Sequence, residues 1–411
     1  MRDFSASDHQ AGQSRSRRAG VLLAAIGLTL GLAGCASMQA EGILVPPERN
    51  EIPDYPARMV QHQVLSVRWR VPMMEPERGP VEQHHHGQPA IGLGGRRVYA
   101  GAHDGSFYCL DAASGRIVWR KLVSGPFDSA PLVAGGVVYA GSGGGGLYAW
   151  RATDGELLWS HQEQAGIYTR PVLEEDVLLV ATDANSLVAL DALSGERRWG
   201  YSREVPSGRF QVKGVARPLV VDGAVFMGFS DGSLAKLSLA DGSVLAVRKL
   251  AQRDARFTDV DGDPLLVADD LLLVGTFSEG VLGLDPADLS QRWQHEAAGA
   301  SGFARSGEQV YFSTANSKVE ALRLDRIGSA GSALAWRFDA QQGALSRPVL
   351  AGPWLLVSSS EHSLLVLDRA DGHLLQVFNP GKGSAGPPAI GSGRIYWVSN
   401  GQVLYCMDLA R

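Results

Sequence analysis

The stretch RFTDVDGDP, residues 256–264, sets Asp259, Asp261 and Asp263 at alternate positions. Carboxylates spaced this way in a loop can ligate calcium, meet cationic groups of a protein partner, or close Asx turns. The calcium template fits poorly. A loop counted from Asp259 should have Gly at its sixth position and Glu at its twelfth, where this chain has Pro264 and Asp270. Asp263, next to Pro264, reads as the turn former. The run His84-His85-His86 offers three imidazoles, and its setting ahead of the first regular unit predicts a solvent-exposed loop rather than a metal site. The three cysteines are Cys35, Cys109 and Cys406. No nucleophile–base constellation accompanies them, so the expectation is a chain that is not an enzyme, with no cofactor and no metal.

These residues must be carried by something, and the composition bounds it. With 50 glycines among 411 residues and 45% hydrophobic residues, the chain is too glycine-rich for a helical protein and too apolar for disorder. Residues 1–34 read as a signal peptide: Arg15, Arg17 and Arg18 precede an uncharged run, Ala19 to Ala33. Those 15 residues are fewer than the roughly 20 a bilayer span needs. The run ends in Leu32-Ala33-Gly34-Cys35. Residues 35–60 contain four prolines and mixed charges, an extended tether with a reach of roughly 80 Å. Removing residues 1–34, with four Lys/Arg and two Asp/Glu, leaves 34 basic and 41 acidic residues, a net charge of −7. That balance speaks against nucleic acid as a partner, which requires a basic face.

Residues 61–411 are a repeat. Units start at Pro89, Pro131, Pro171, Pro218, Pro264, Phe303, Pro348 and Pro388, at spacings of 39 to 47 residues. Each holds four short apolar runs separated by Asp-Gly or Ser-Gly pairs such as Asp104-Gly105 and Ser194-Gly195, which suit the positive φ of tight hairpins. The fold class predicted is all-β: an eight-bladed β-propeller of four-stranded antiparallel blades. The last unit lacks a fourth run, and HQVLSVRWRV, residues 62–71, supplies one, so an N-terminal strand should join the C-terminal blade and close the ring. Trp69, Trp119, Trp159, Trp199, Trp293 and Trp336 recur at the fourth-run position, where regularity predicts packing between blades. Cys109 and Cys406 occupy equivalent third runs and should pack as small apolar residues rather than pair.

The departures from the repeat are more informative than the repeat. From the Trp position to the next unit start, most links take 10 or 12 residues, whereas Trp199 to Pro218 takes 19 and Ala246 to Pro264 takes 18. The two long links flank one blade and share one face. The first carries Phe210, Val212 and Lys213, and the second carries Asp259 and Asp261. Apolar and charged residues mixed on neighbouring loops have the character of a protein interface. The insertion near Arg326–Ala333 falls in a third-to-fourth-strand hairpin and belongs to the opposite face.

The units resemble pyrroloquinoline-quinone-type propeller repeats. With the lipobox-like Leu-Ala-Gly-Cys35, the tether and the eight units, the whole chain is similar to the BamB family of β-barrel assembly lipoproteins. FQVKG (210–214) and DVD (259–261) resemble that family's two partner-binding loops. The resemblance implies acylation of Cys35 and an outer-membrane, lipid-anchored location on the periplasmic face. It implies contact with BamA-like periplasmic domains through Phe210, Val212, Lys213, Asp259 and Asp261, and possible reception of nascent β-barrel proteins along blade edges. It departs from the family in carrying a lysine where an arginine is common, which removes a bidentate fork. A quinoprotein dehydrogenase is the enzymatic alternative, but the adjacent cysteines of those enzymes are missing here. A propeller lipoprotein with another protein or glycan partner is the other alternative.

Overall fold

The computed structural model describes residues 63–74, 84–203, 216–251, 257–268, 270–328 and 332–410. Within them lie eight four-stranded antiparallel sheets. Blade 1 is built from Ala90–Gly92, Arg97–Gly101, Ser106–Asp111 and Ile117–Leu122, paired in chain order from the innermost strand outward. Blades 2 to 7 repeat this order. In blade 8 the strands Ala389–Gly391, Arg394–Val398 and Val403–Leu409 are completed by Leu65–Pro72, so the N-terminal strand closes the ring as the repeat pattern predicts.

The second and third strands of each blade lie between neighbouring blades and bury both faces. Their sequences therefore run nearly continuous in apolar residues, as in Val177–Thr182, buried throughout. The fourth strands border solvent and alternate, as in Leu157–Gln162. Eight apolar clusters form among the described residues, one per seam between blades. Val98, Tyr108, Tyr396 and Cys406, for example, join blades 8 and 1. Cys109 and Cys406 are free and buried in two of these clusters, and burial raises both thiols to about 11.

The tryptophan ladder is a device for joining blades. The indole Nε1 of Trp119 donates to the carbonyl of Ala152 in blade 2, that of Trp159 to Ala192, that of Trp199 to Leu239 and that of Trp336 to Arg369. Trp69 does the same across the closing seam, to Ala112. Each ring also rests on the glycine of the next blade's last hairpin. A Cβ added to Gly195, for instance, would come 2.5 Å from Trp159 Cε3, and Gly195 has φ +74°. Every fourth strand shifts register beside this position. Where Gln376 replaces the tryptophan, its Oε1 accepts the backbone N–H groups of Val64 and Leu65, each at 2.7 Å, and so holds the closing strand.

Candidate functional site

The links between blades return from an outer strand to the next innermost strand, across the ends of the second-to-third-strand hairpins. Backbone bonds stitch the two together: Phe127 N–H to the Ala102 carbonyl, Ile167 to Ser142, and Val260 to Phe229. All three donors stand four residues before the proline that opens the next blade. They plug the same recess, whose floor is a glycine: a Cβ on Gly101 would meet Phe127 at 2.1 Å, one on Gly141 would meet Ile167 at 2.2 Å, and one on Gly228 would meet Val260 at 2.2 Å. The central residue of Asp-Val-Asp is therefore a packing plug, and it fixes where its two neighbours go.

Asp259 turns inward. It is 1% exposed, and its carbonyl accepts the N–H of Phe277 in blade 5 at 2.9 Å. This corrects the expectation that both carboxylates are displayed to a partner: the plug at Val260 carries Asp259 into the seam between blades 4 and 5. Asp261 sits at the position of Asp128 and Tyr168 in the earlier links, and with them lines a cavity of about 260 Å³ at the mouth of the central channel. Burial there, with the charges of Asp259 and Asp263, pushes its carboxyl up to about 7. Arg170, Arg217 and Arg347 line the same mouth. Burial lowers the pKa of Arg170 and of Arg347, and each also feels the charge of Arg217.

Asp263 joins the two long links. Its Oδ1 accepts the backbone N–H of Arg217 at 2.8 Å, and its Oδ2 lies 3.5 Å from the Arg217 guanidinium. Arg217 is the last residue of the first long link, so the links converge where they enter blades 4 and 5. Arg203, at the start of the first link, pairs with Asp231 at 2.8 Å rather than with the Asp-Val-Asp carboxylates. Phe210, Val212 and Lys213 lie outside the described residues.

The histidine run differs from its expected exposure. His84 and His86 are exposed, but His85 is 1% exposed and packs against His103 and Asp128. The reason is Gly87 beside it, whose missing side chain leaves room for the His85 ring: a Cβ there would lie 2.9 Å from His85 Nε2. Adjacent histidines carried no signal of this, because the partners come from a hairpin and a link downstream. Among the described residues these three form the one group of His, Cys, Asp or Glu whose donor atoms converge, within 4.8 Å; the aspartates of 259–263 do not.

The profile of a family described as outer membrane protein assembly factor BamB matches residues 66–165 and 134–329. A protein of Vibrio cholerae serotype O1 with that name is 25% identical over 209 residues, 49% of this chain and 52% of the relative. The matched segments span about half the length of the curated relatives. Among solved structures, BamB from Moraxella catarrhalis superposes with TM-score 0.71 at 19% identity, covering 84% of this chain and all of the other. A quinohemoprotein alcohol dehydrogenase of Comamonas testosteroni superposes with TM-score 0.64 at 14% identity, covering 84% of this chain and 77% of the other. At such identities these two superpositions establish the propeller fold alone.

Proposed function

From the membership of this chain in the BamB family of outer membrane protein assembly factors, we propose that it is a non-catalytic scaffold lipoprotein of the β-barrel assembly complex. In this reading it holds BamA-like periplasmic domains and so assists the folding and insertion of β-barrel proteins. The observation that carries the reading is the convergence of the two overlong links at Arg217 and Asp263. The links of ordinary length are consumed in crossing from one blade to the next. These two neighbouring links have chain to spare, and their described ends, at Arg217, Asp261 and Asp263, line one cavity.

The contact would be made by Phe210, Val212 and Lys213 from the first link, with Asp261 at the rim. Apolar anchors beside a charge at the centre of a patch are what concentrates binding energy in protein interfaces. Asp259, being buried, would act by holding the Val260 plug and hence the shape of the second link. A second contact surface is supported by the outer strands, which leave one edge unpaired and expose Leu122 to 70%, Val244 to 53% and Leu245 to 54%. Such edges suit addition of an extended nascent strand.

The proposed location is the periplasmic face of the outer membrane, with Cys35 carrying the acyl anchor. Stable anchoring takes more than one acyl chain. Membrane fractionation tests it: Cys35→Ala should move the protein from the membrane pellet to the soluble fraction. A variant that stays in the pellet argues against the anchor. Co-purification of BamA-type periplasmic domains with the full chain tests the partner, and failure to recover them would argue against the scaffold role.

A further inference from the structure

We propose that His85, His103 and Asp128 form a binding site for one divalent transition-metal ion of the Zn2+ class, which staples the entry segment of the propeller to blade 1. The three residues come from separate pieces of chain. His85 lies in the segment leading into blade 1, His103 in that blade's central hairpin, and Asp128 in the link to blade 2. His103 Nε2 is 2.7 Å from Asp128 Oδ1, and His85 Nδ1 is 3.3 Å from the same oxygen.

The donor set suits the ion. Imidazole nitrogens with one carboxylate favour zinc and its neighbours over calcium or magnesium, which take oxygen ligands. Ligand bonds of about 2.0–2.2 Å in tetrahedral array place donor atoms roughly 3.3–3.6 Å apart. All three donors already lie within 4.8 Å of one another, so small rotations of the two rings suffice. His85 Nδ1 is buried and makes no well-aligned hydrogen bond despite its approach to Asp128. A buried ring nitrogen aimed at a carboxylate without such a bond is a donor atom available to a cation.

The surroundings are built to hold the ligands. Asn400 Oδ1 accepts the backbone N–H of His85 at 2.9 Å, and Gln402 Oε1 accepts that of His103 at 3.1 Å. Both come from blade 8, so the two imidazoles are set from across the closing seam. Asn400 is itself held, its Nδ2 donating to the Lys382 carbonyl at 2.9 Å. Asp128 and the exposed His86 line the cavity at the channel mouth, which gives an ion a way in and leaves room for water or His86 as a fourth ligand. Because the site ties the entry segment to blade 1 next to the closing seam, its occupancy would strengthen closure of the ring.

The test uses the full chain, without a histidine tag, stripped with chelator and titrated with Co2+ and then Zn2+. The expected result is one equivalent bound at micromolar or tighter affinity, visible Co2+ absorption bands displaced by Zn2+, and a rise in Tm with Zn2+. His103→Gln and Asp128→Asn should each weaken binding at least tenfold, while His84→Ala leaves it unchanged. Histidine-selective NMR on the wild-type chain reads the site without mutation, since Zn2+ should shift the ring nitrogens of His85 and His103. No binding at one equivalent, loss of binding in His84→Ala with retention in His103→Gln, or ring shifts confined to other histidines would overturn the proposal.

Discussion

Asp263 Oδ1 accepts the backbone N–H of Arg217 at 2.8 Å, across 46 residues of sequence. This bond joins the ends of the two long links that flank blade 4, so it fixes how they enter blades 4 and 5. Asp263→Ala should leave the propeller folded, at a cost of about 1–2 kcal/mol, since one charge-assisted bond and a partly exposed ion pair are lost. Hydrogen exchange should accelerate at residues 216–219 and 257–264 and stay unchanged in blades 1 and 2. Asp263→Asn keeps an acceptor and should lie between the two. Uniform acceleration over the ring would reject a local clasp.

Tryptophan on glycine is the joint between blades, and two glycines of the same conformation separate packing from backbone strain. Gly195 and Gly223 both have positive φ, +74° and +72°. A Cβ on Gly195 meets the Trp159 ring at 2.5 Å, whereas one on Gly223 meets nothing within 4 Å. Gly223→Ala should cost only the left-handed penalty of about 1–2 kcal/mol. Gly195→Ala should cost about 1–3 kcal/mol more, because the indole must move. Thermal or denaturant unfolding measures the pair, and equal losses would show that the ring contact contributes nothing.

Asp261 makes stability depend on pH in an unusual direction. Its folded pKa of about 7 lies above the ordinary aspartate value near 3.9. Between roughly pH 4 and 7 the folded state holds a proton that the unfolded state has released, so this residue's contribution falls as pH rises through that window. Above about pH 7 the half-buried charge is a net cost. Asp261→Asn removes it, and the variant should be more stable than wild type by ~1–2 kcal/mol at pH 8, with the gain shrinking toward pH 4. Denaturant unfolding at pH 5 and pH 8 is the measurement, and a gain independent of pH would refute the assignment.

The repeat made the fold legible. Proline-led starts, Asp-Gly hairpins and the tryptophan position locate all eight blades, and the missing last strand announces the closing one. The Trp-position equivalences assigned to Ala246 and Gln376 hold in the register, opposite Lys236 and Val366. The site was legible only in part. Counting residues between Trp199 and Pro218 finds the long links, because an insertion shows as length. It does not show which way each side chain points. The signal for the plug is an apolar residue four before the blade-opening proline, Phe127, Ile167 or Val260, and it places Asp259 inside. His85 was invisible for a different reason: its partners, His103 and Asp128, come from the blade 1 hairpin and the link after it, and only the folded blade brings them to it.

The central claim is that the two long links form the partner-binding face. The most direct measurement is the affinity of BamA-type periplasmic domains for the wild-type chain and for loop variants, by titration with purified proteins. Phe210→Ala with Val212→Ala, and separately Lys213→Ala, should weaken binding at least tenfold. Arg326→Ala, in the insertion on the opposite face, should leave it unchanged. Undiminished binding in the loop variants, or equal loss in Arg326→Ala, would contradict the account.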